Sequence, residues 1–159
     1  MSAIEAGIST LGVKLGYALE TVSGQKPASF TQLERVNSIG GIELSTEQID
    51  ASALEDYVTR YVKGRQDTGG QWEVTFNRTD EVVEQVKDMI SAYEGRGTGL
   101  RMWFEVWSPS ATQGYFIVAQ PPSAIPLPEI GQNELETFAI QLTIEEYKEL
   151  DTAIEPVAP

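Results

Sequence analysis

The chain contains no histidine and no cysteine, so its reactive side chains are carboxylates, hydroxyls and amines. That inventory excludes a thiol nucleophile, a Ser-His-Asp triad and a zinc site of nitrogen and sulfur ligands. Two acid pairs, Glu134 with Glu136 and Glu145 with Glu146, have the residue type of a glycosidase acid–base pair. Such a pair must flank a cleft and keep one carboxyl at a raised pKa. With 24 acids in the chain, close spacing arises by chance. Gly95-Arg96-Gly97-Thr98-Gly99 has the glycine density of a phosphate loop. It lacks the Lys-Ser/Thr pair and runs from helix to strand, the reverse of the order such loops need, so a plain turn is the stronger reading. Asn77-Arg78-Thr79 matches a glycosylation acceptor, but it falls at a strand end, where coincidence explains it.

Arg60, Lys63 and Arg65 form the one basic cluster. A nucleic-acid patch would be wider and set in a basic domain. Docking on an acidic neighbour is favoured, and further copies of this chain would supply one.

The elements that must position these groups are mostly strands. Residues 1–10 are small and polar without a period, and are expected to be a flexible arm. Val13, Leu15, Tyr17 and Leu19 alternate with Lys14, Gly16 and Ala18 as in a half-buried strand. An extended stretch over about 30–36 follows, and Gly40-Gly41 turns into a third strand in which Ile42 and Leu44 oppose Glu43 and Ser45. Residues 50–70 have no clear period and are expected to be a long functional loop. Trp72, Val74 and Phe76 alternate with Glu73, Thr75 and Asn77. The one convincing helix comes next, capped by Thr79 or Asp80, with an apolar stripe of Val82, Val83, Val86, Met89, Ile90 and Tyr93, and ended by Gly95 and Gly97.

Leu100–Trp107 and Gly114–Gln120 are expected to form a hairpin that is apolar on both faces. Trp103 and Trp107 on the second face suit either a doubly covered core strand or an interface. A last strand runs through Thr137–Ile144, and the tail over 148–159 is expected to be mobile. The expected organisation is an arm at 1–10, a domain at 11–147 and a tail at 148–159.

With 159 residues and a formal charge of −13, the chain suits one acidic, folded domain, and its acidity argues against binding DNA or anionic lipid. Residues 1–20 show no basic region followed by an apolar run, so no secretory signal is expected, and no stretch is long enough to span a membrane.

The order of features resembles a family. Ser9-Thr10-Leu11-Gly12-Val13, Ile39-Gly40-Gly41-Ile42, Tyr61-Val62, Asp67-Thr68-Gly69-Gly70, Trp72–Thr79 with Asp80-Glu81, Trp103-Phe104-Glu105-Val106 and Phe116–Pro121 resemble the tail tube (major tail) proteins of long, flexible-tailed bacteriophages. The resemblance implies a mainly β fold with one helix: a two-sheet sandwich or barrel-like domain that gives strands to an inter-subunit β-barrel. It further implies a structural virion protein, not an enzyme, assembled in the host cytoplasm into stacked homo-hexameric rings without a cofactor. Its partners would be tape measure, tail terminator and distal tail proteins, and DNA would pass through the lumen without specific binding.

The segment matching the family's inter-subunit loop is 50–70, which places Tyr57, Arg60, Tyr61, Lys63, Arg65 and Asp67 in docking roles. Glu43 and Glu47 are candidates for the lumen, where acids would repel the DNA backbone. Two other readings share the acidic charge: a tube protein of a phage-derived injection or secretion device, and an acidic DNA-mimic inhibitor.

Overall fold

The computed structural model describes residues 6–159, so the first five residues of the expected arm lie outside the described residues. Nine strands and one helix follow in the order β1 (Lys14–Leu19), β2 (Thr31–Leu33), β3 (Val36–Ile39), β4 (Ser45–Asp50), β5 (Tyr61–Asp67), β6 (Gln71–Asn77), α1 (Asp80–Glu94), β7 (Met102–Trp107), β8 (Gln113–Gln120) and β9 (Thr137–Thr152). The fold is mainly β with a single helix and two sheets. Seven strands form an antiparallel sheet in the order β2-β1-β7-β8-β9-β6-β3, and β4 and β5 pair separately.

The two edge strands of the large sheet are consecutive in sequence, separated only by Glu34 and Arg35. A flat sheet of this size is roughly 29 Å across its strands. The chain from Leu33 to Val36 reaches at most about 11 Å. The sheet therefore rolls until its edges approach, leaving a seam and no closed barrel. Arg35 makes the step with φ 56°, while the Glu34 N–H donates to Gln85 Oε1 at 3.0 Å and the Asn77 N–H donates to the Arg35 carbonyl at 2.8 Å.

The concave face packs on α1. Thr79 caps the helix, its hydroxyl accepting the Val82 N–H at 3.1 Å, and Asp80 and Glu81 oppose the helix dipole in the first turn. The Gly95 N–H closes the other end on the Ser91 carbonyl at 3.0 Å. Val82, Val86, Met89 and Ile90 are buried against Trp72, Val74, Phe76, Phe104, Ile140 and Leu142. Phe76 stacks on Phe138 at 5.4 Å between ring centroids.

On the convex face a second cluster joins Phe30, Trp103, Phe116 and Val118, with Ala18 and Ile154 against it. Trp103 is thus a core residue of its own chain, which explains why β7 and β8 are apolar on both sides.

Four expectations need correction. The loop expected at 50–70 is half strand: β5 pairs with β4 through Asp50↔Tyr61 and Ile49↔Val62, so only 51–60 connect them. The third strand begins at Ser45, after Glu43, so the apparent alternation of Ile42 and Leu44 with Glu43 precedes it. Ile42 turns to the core while Glu43 and Leu44 stay exposed.

The tail expected over 148–159 is held. β9 continues to Thr152 against β8, with Tyr115↔Leu150 and Gln113↔Thr152, and residues 153–157 cross the convex face. Between Phe30 and Val36 the expected single stretch is split into β2 and β3 by the left-handed Arg35.

Candidate functional site

Every residue of β4 and all but Gly64 of β5 are exposed, so the β4–β5 hairpin stands away from the packed sheet. Its strands form because Thr, Ile, Tyr and Val tolerate an extended backbone and because both chain directions are fixed by turns. Asp50 accepts the Ser52 N–H at 2.9 Å, which depresses its carboxyl below the usual range, and Asp67 accepts the Gly69 N–H at 2.9 Å before the left-handed Gly69 and Gly70. The connection is folded on itself: Asp56 Oδ2 accepts the Ala53 N–H at 2.8 Å, and its Oδ1 takes the Arg60 Nε–H at 3.1 Å.

Among the described residues, nothing covers the apolar side chains around this frame. Leu54 and Tyr57 are fully exposed, and Val58, Tyr61, Val62, Ile49 and Leu44 are each about half exposed or more. A monomer gains nothing from presenting these side chains to water, and contiguous uncovered apolar groups on one projecting element mark an interaction surface.

The structure separates the basic cluster. Arg60 lies in the connection, already paired with Asp56. Lys63 faces Gln48 across the ladder, whereas Gly64 and Arg65 together oppose Glu47 at a bulge, since Thr46 pairs with Gln66 and Gln48 with Lys63. Gln48 and Glu47 point to opposite faces of the ribbon, so Lys63 and Arg65 do also. Tyr61 shares its face with Asp50, and Asp67 ends β5 opposite Ser45.

Of the two acids expected in the lumen, Glu47 sits in the bulge against Gly64, and Glu43 lies outside any strand. The apolar residues Ile49, Leu54 and Val58 do not stand out in the sequence. Their signal was there, as apolar residues in a segment without a period that would give them a core to face.

The acid pairs do not converge on a cleft. Glu136 holds Arg78 at 2.6 Å, Glu146 holds Arg101 at 3.0 Å and Lys148 at 2.8 Å, and Glu145 accepts Gln120 Nε2 at 2.6 Å. The Lys148 and Arg101 contacts keep the Glu146 carboxyl below its usual value. A cavity of about 600 Å³ opens along β3 and the turn that follows it, lined by Val36, Ile39, Ile42, Trp72, Ile117 and Tyr147 among others, and no carboxylate or amine of the described residues borders it.

Among the described residues, two carboxyls are fully buried. Glu20 is ringed by donors: Trp103 Nε1 at 2.9 Å, the Arg101 N–H at 2.8 Å and the Gly24 N–H at 3.2 Å. Burial alone would raise its pKa, but these bonds and the Arg101 guanidinium outweigh it and hold the carboxyl below the usual range. Among the described residues, Glu105 receives only the Ile154 N–H at 2.9 Å, and its second oxygen has no partner. Burial pushes its pKa up to about 7 against the smaller pull of that N–H and of Lys26.

No protein-family profile matches the chain, and no curated protein matches it. Among solved structures, it is similar to a chain in a six-fold symmetrised cryo-EM structure of the anti-feeding prophage baseplate, at 8% identity and a TM-score of 0.43, covering 96% of this chain and 97% of that one. An overlap at that level decides neither family nor role.

Proposed function

We propose that the chain is the structural subunit of a bacteriophage tail tube, stacking as hexameric rings into the conduit through which the genome leaves the virion. The observation that carries this reading is the β4–β5 hairpin, a two-stranded arm whose apolar side chains get no cover from the described residues of its own chain. A neighbouring copy is its natural cover, and the order of motifs along the chain resembles that of tail tube proteins.

Two further features support it. The free side of β3 at the seam offers unpaired backbone groups that strand pairing between copies would satisfy. A net charge of −13 per copy suits a channel that must pass DNA without holding its phosphates. In this reading Tyr57, Tyr61, Lys63 and Arg65 dock on a neighbour, and tape measure, terminator and distal tail proteins set length and ends.

The test replaces Leu54, Tyr57 and Val58 together by Ser and compares sedimentation with wild type. All three side chains are exposed, so the melting temperature should stay within about 2 °C while polymer formation is lost. Polymers of wild-type size in that variant would remove the hairpin from assembly.

A further inference from the structure

Glu105 stands in the middle of an otherwise apolar strand, and the fold makes room for it with glycines. Its cross-strand neighbours on the convex face are Gly16 and Phe116, and a Cβ at Gly114 would come within 2.8 Å of its Oε2. The open side above the carboxyl is closed by residues 153–157. Ala153 donates its N–H to the Thr112 carbonyl at 3.1 Å, Ile154 donates to Glu105, and Val157 both donates to Phe30 at 2.9 Å and accepts the Gln32 N–H at 2.7 Å. Pro156 packs so closely on Gly16 that any Cβ there would lie 3.0 Å from it. This C-terminal strap covers Phe30, Trp103 and Phe116 and is itself held at its margins by exposed ion pairs, Lys26–Asp151 and Lys14–Glu155.

We propose that Glu105 and residues 153–157 form a proton-operated latch: the strap is seated while Glu105 is protonated, and ionisation of Glu105 loosens it and uncovers the groove of Phe30, Trp103 and Phe116. The physical reason is the orphan oxygen. A neutral carboxyl leaves one O–H unpartnered in this apolar chamber, but a carboxylate costs far more there, because it needs several donors and receives one N–H. The sheet closes one side and the Phe116 ring another, so water reaches the charge by displacement of the strap.

The charged groups on this face do not replace that water. Lys26 lies over the Phe116 ring at 3.9 Å and is bonded to Asp151 and to the Thr152 carbonyl at 2.7 Å, Lys14 is held by Glu155, and Lys148, over Trp103, is held by Glu146. Lys26 is the nearest of them in effect, and it lowers the carboxyl's pKa less than burial raises it. The switch therefore falls near neutrality. Ionisation is a local event beneath five residues, so it opens the strap without unfolding the sheet.

The test is amide hydrogen exchange on the full chain, with each rate divided by its intrinsic rate at the same pH. Between about pH 6 and about pH 8.5, protection of the Ile154 and Val157 amides should fall at least roughly tenfold in wild type and stay constant in Glu105→Gln. Equal protection at both pH values in wild type, or the same fall in Glu105→Gln, would overturn the latch. A second measurement needs no variant: carbon-13 titration of the Glu105 carboxyl should share one midpoint with the amide shifts of residues 153–157. Two separate midpoints would also overturn it.

Discussion

Glu20 and Trp103 meet at 2.9 Å, carboxylate oxygen to indole nitrogen, across a sequence separation of 83 residues. The contact joins the end of β1 to the convex cluster and leaves the Glu20 side chain with no exposed surface. Arg101 serves the same carboxylate from its backbone and its guanidinium and reaches on to Glu146, so one buried acid ties β1, β7 and β9 together.

Glu20→Ala should cost about 3 kcal/mol, because it strands the Trp103 indole N–H and two backbone donors. Urea unfolding followed by tryptophan fluorescence measures it. A cost under about 1 kcal/mol would mean that water replaces the carboxylate without penalty. Glu20→Gln keeps one acceptor and should fall between wild type and Glu20→Ala.

The two buried carboxyls give stability opposite dependences on pH. Glu20 is held below its ordinary value, so its contribution is complete above that value and is lost as pH falls through its depressed folded pKa. Glu105 is raised from 4.5 to about 7, so the folded state binds its proton more tightly and stability drains as pH rises through that window. The full effect is at most roughly 3 kcal/mol. Melting temperatures of wild type should decline from about pH 5 to about pH 8 more than those of Glu105→Gln. Parallel profiles would show that Glu105 ionises as freely folded as unfolded.

Gly40 links the seam to the arm that carries the hairpin. Its N–H donates to the Glu73 carbonyl at 2.7 Å, and its own carbonyl accepts Trp72 Nε1 at 2.7 Å. A Cβ at Gly40 would sit 2.8 Å from the Glu73 carbonyl oxygen, so Gly40→Ala must push β3 away from β6. A loss of about 1–3 kcal/mol is expected, together with a shift in Trp72 emission. Gly41, with nothing near its Cβ position, should accept Ala at little cost.

The legible parts of the fold are those with a buried face. Trp72, Val74 and Phe76 announce β6 by alternation, and Val82, Val86, Met89 and Ile90 announce α1, because each set faces one core. The β5 half of the hairpin reads as loop because Tyr61 to Asp67 buries neither face, and period 2 carries no signal without burial. The strap was read as a free tail for a different reason. Ile154 and Val157 are two apolar residues around a proline, and the surface they cover comes from Phe30 and Phe116, far away in sequence. In the candidate site, the spacing of Arg60, Lys63 and Arg65 suggested one patch. The bulge opposite Glu47 and the Asp56 contact, neither of them visible as a pattern, divide it.

Assembly into a hollow tube can be seen directly. Electron microscopy of the purified chain, concentrated stepwise and viewed in negative stain, tests it most directly. Tubes with a stain-filled channel, and end-on views with six-fold symmetry, are the expected result. Monomers at every concentration, or assemblies without a central channel, would contradict it.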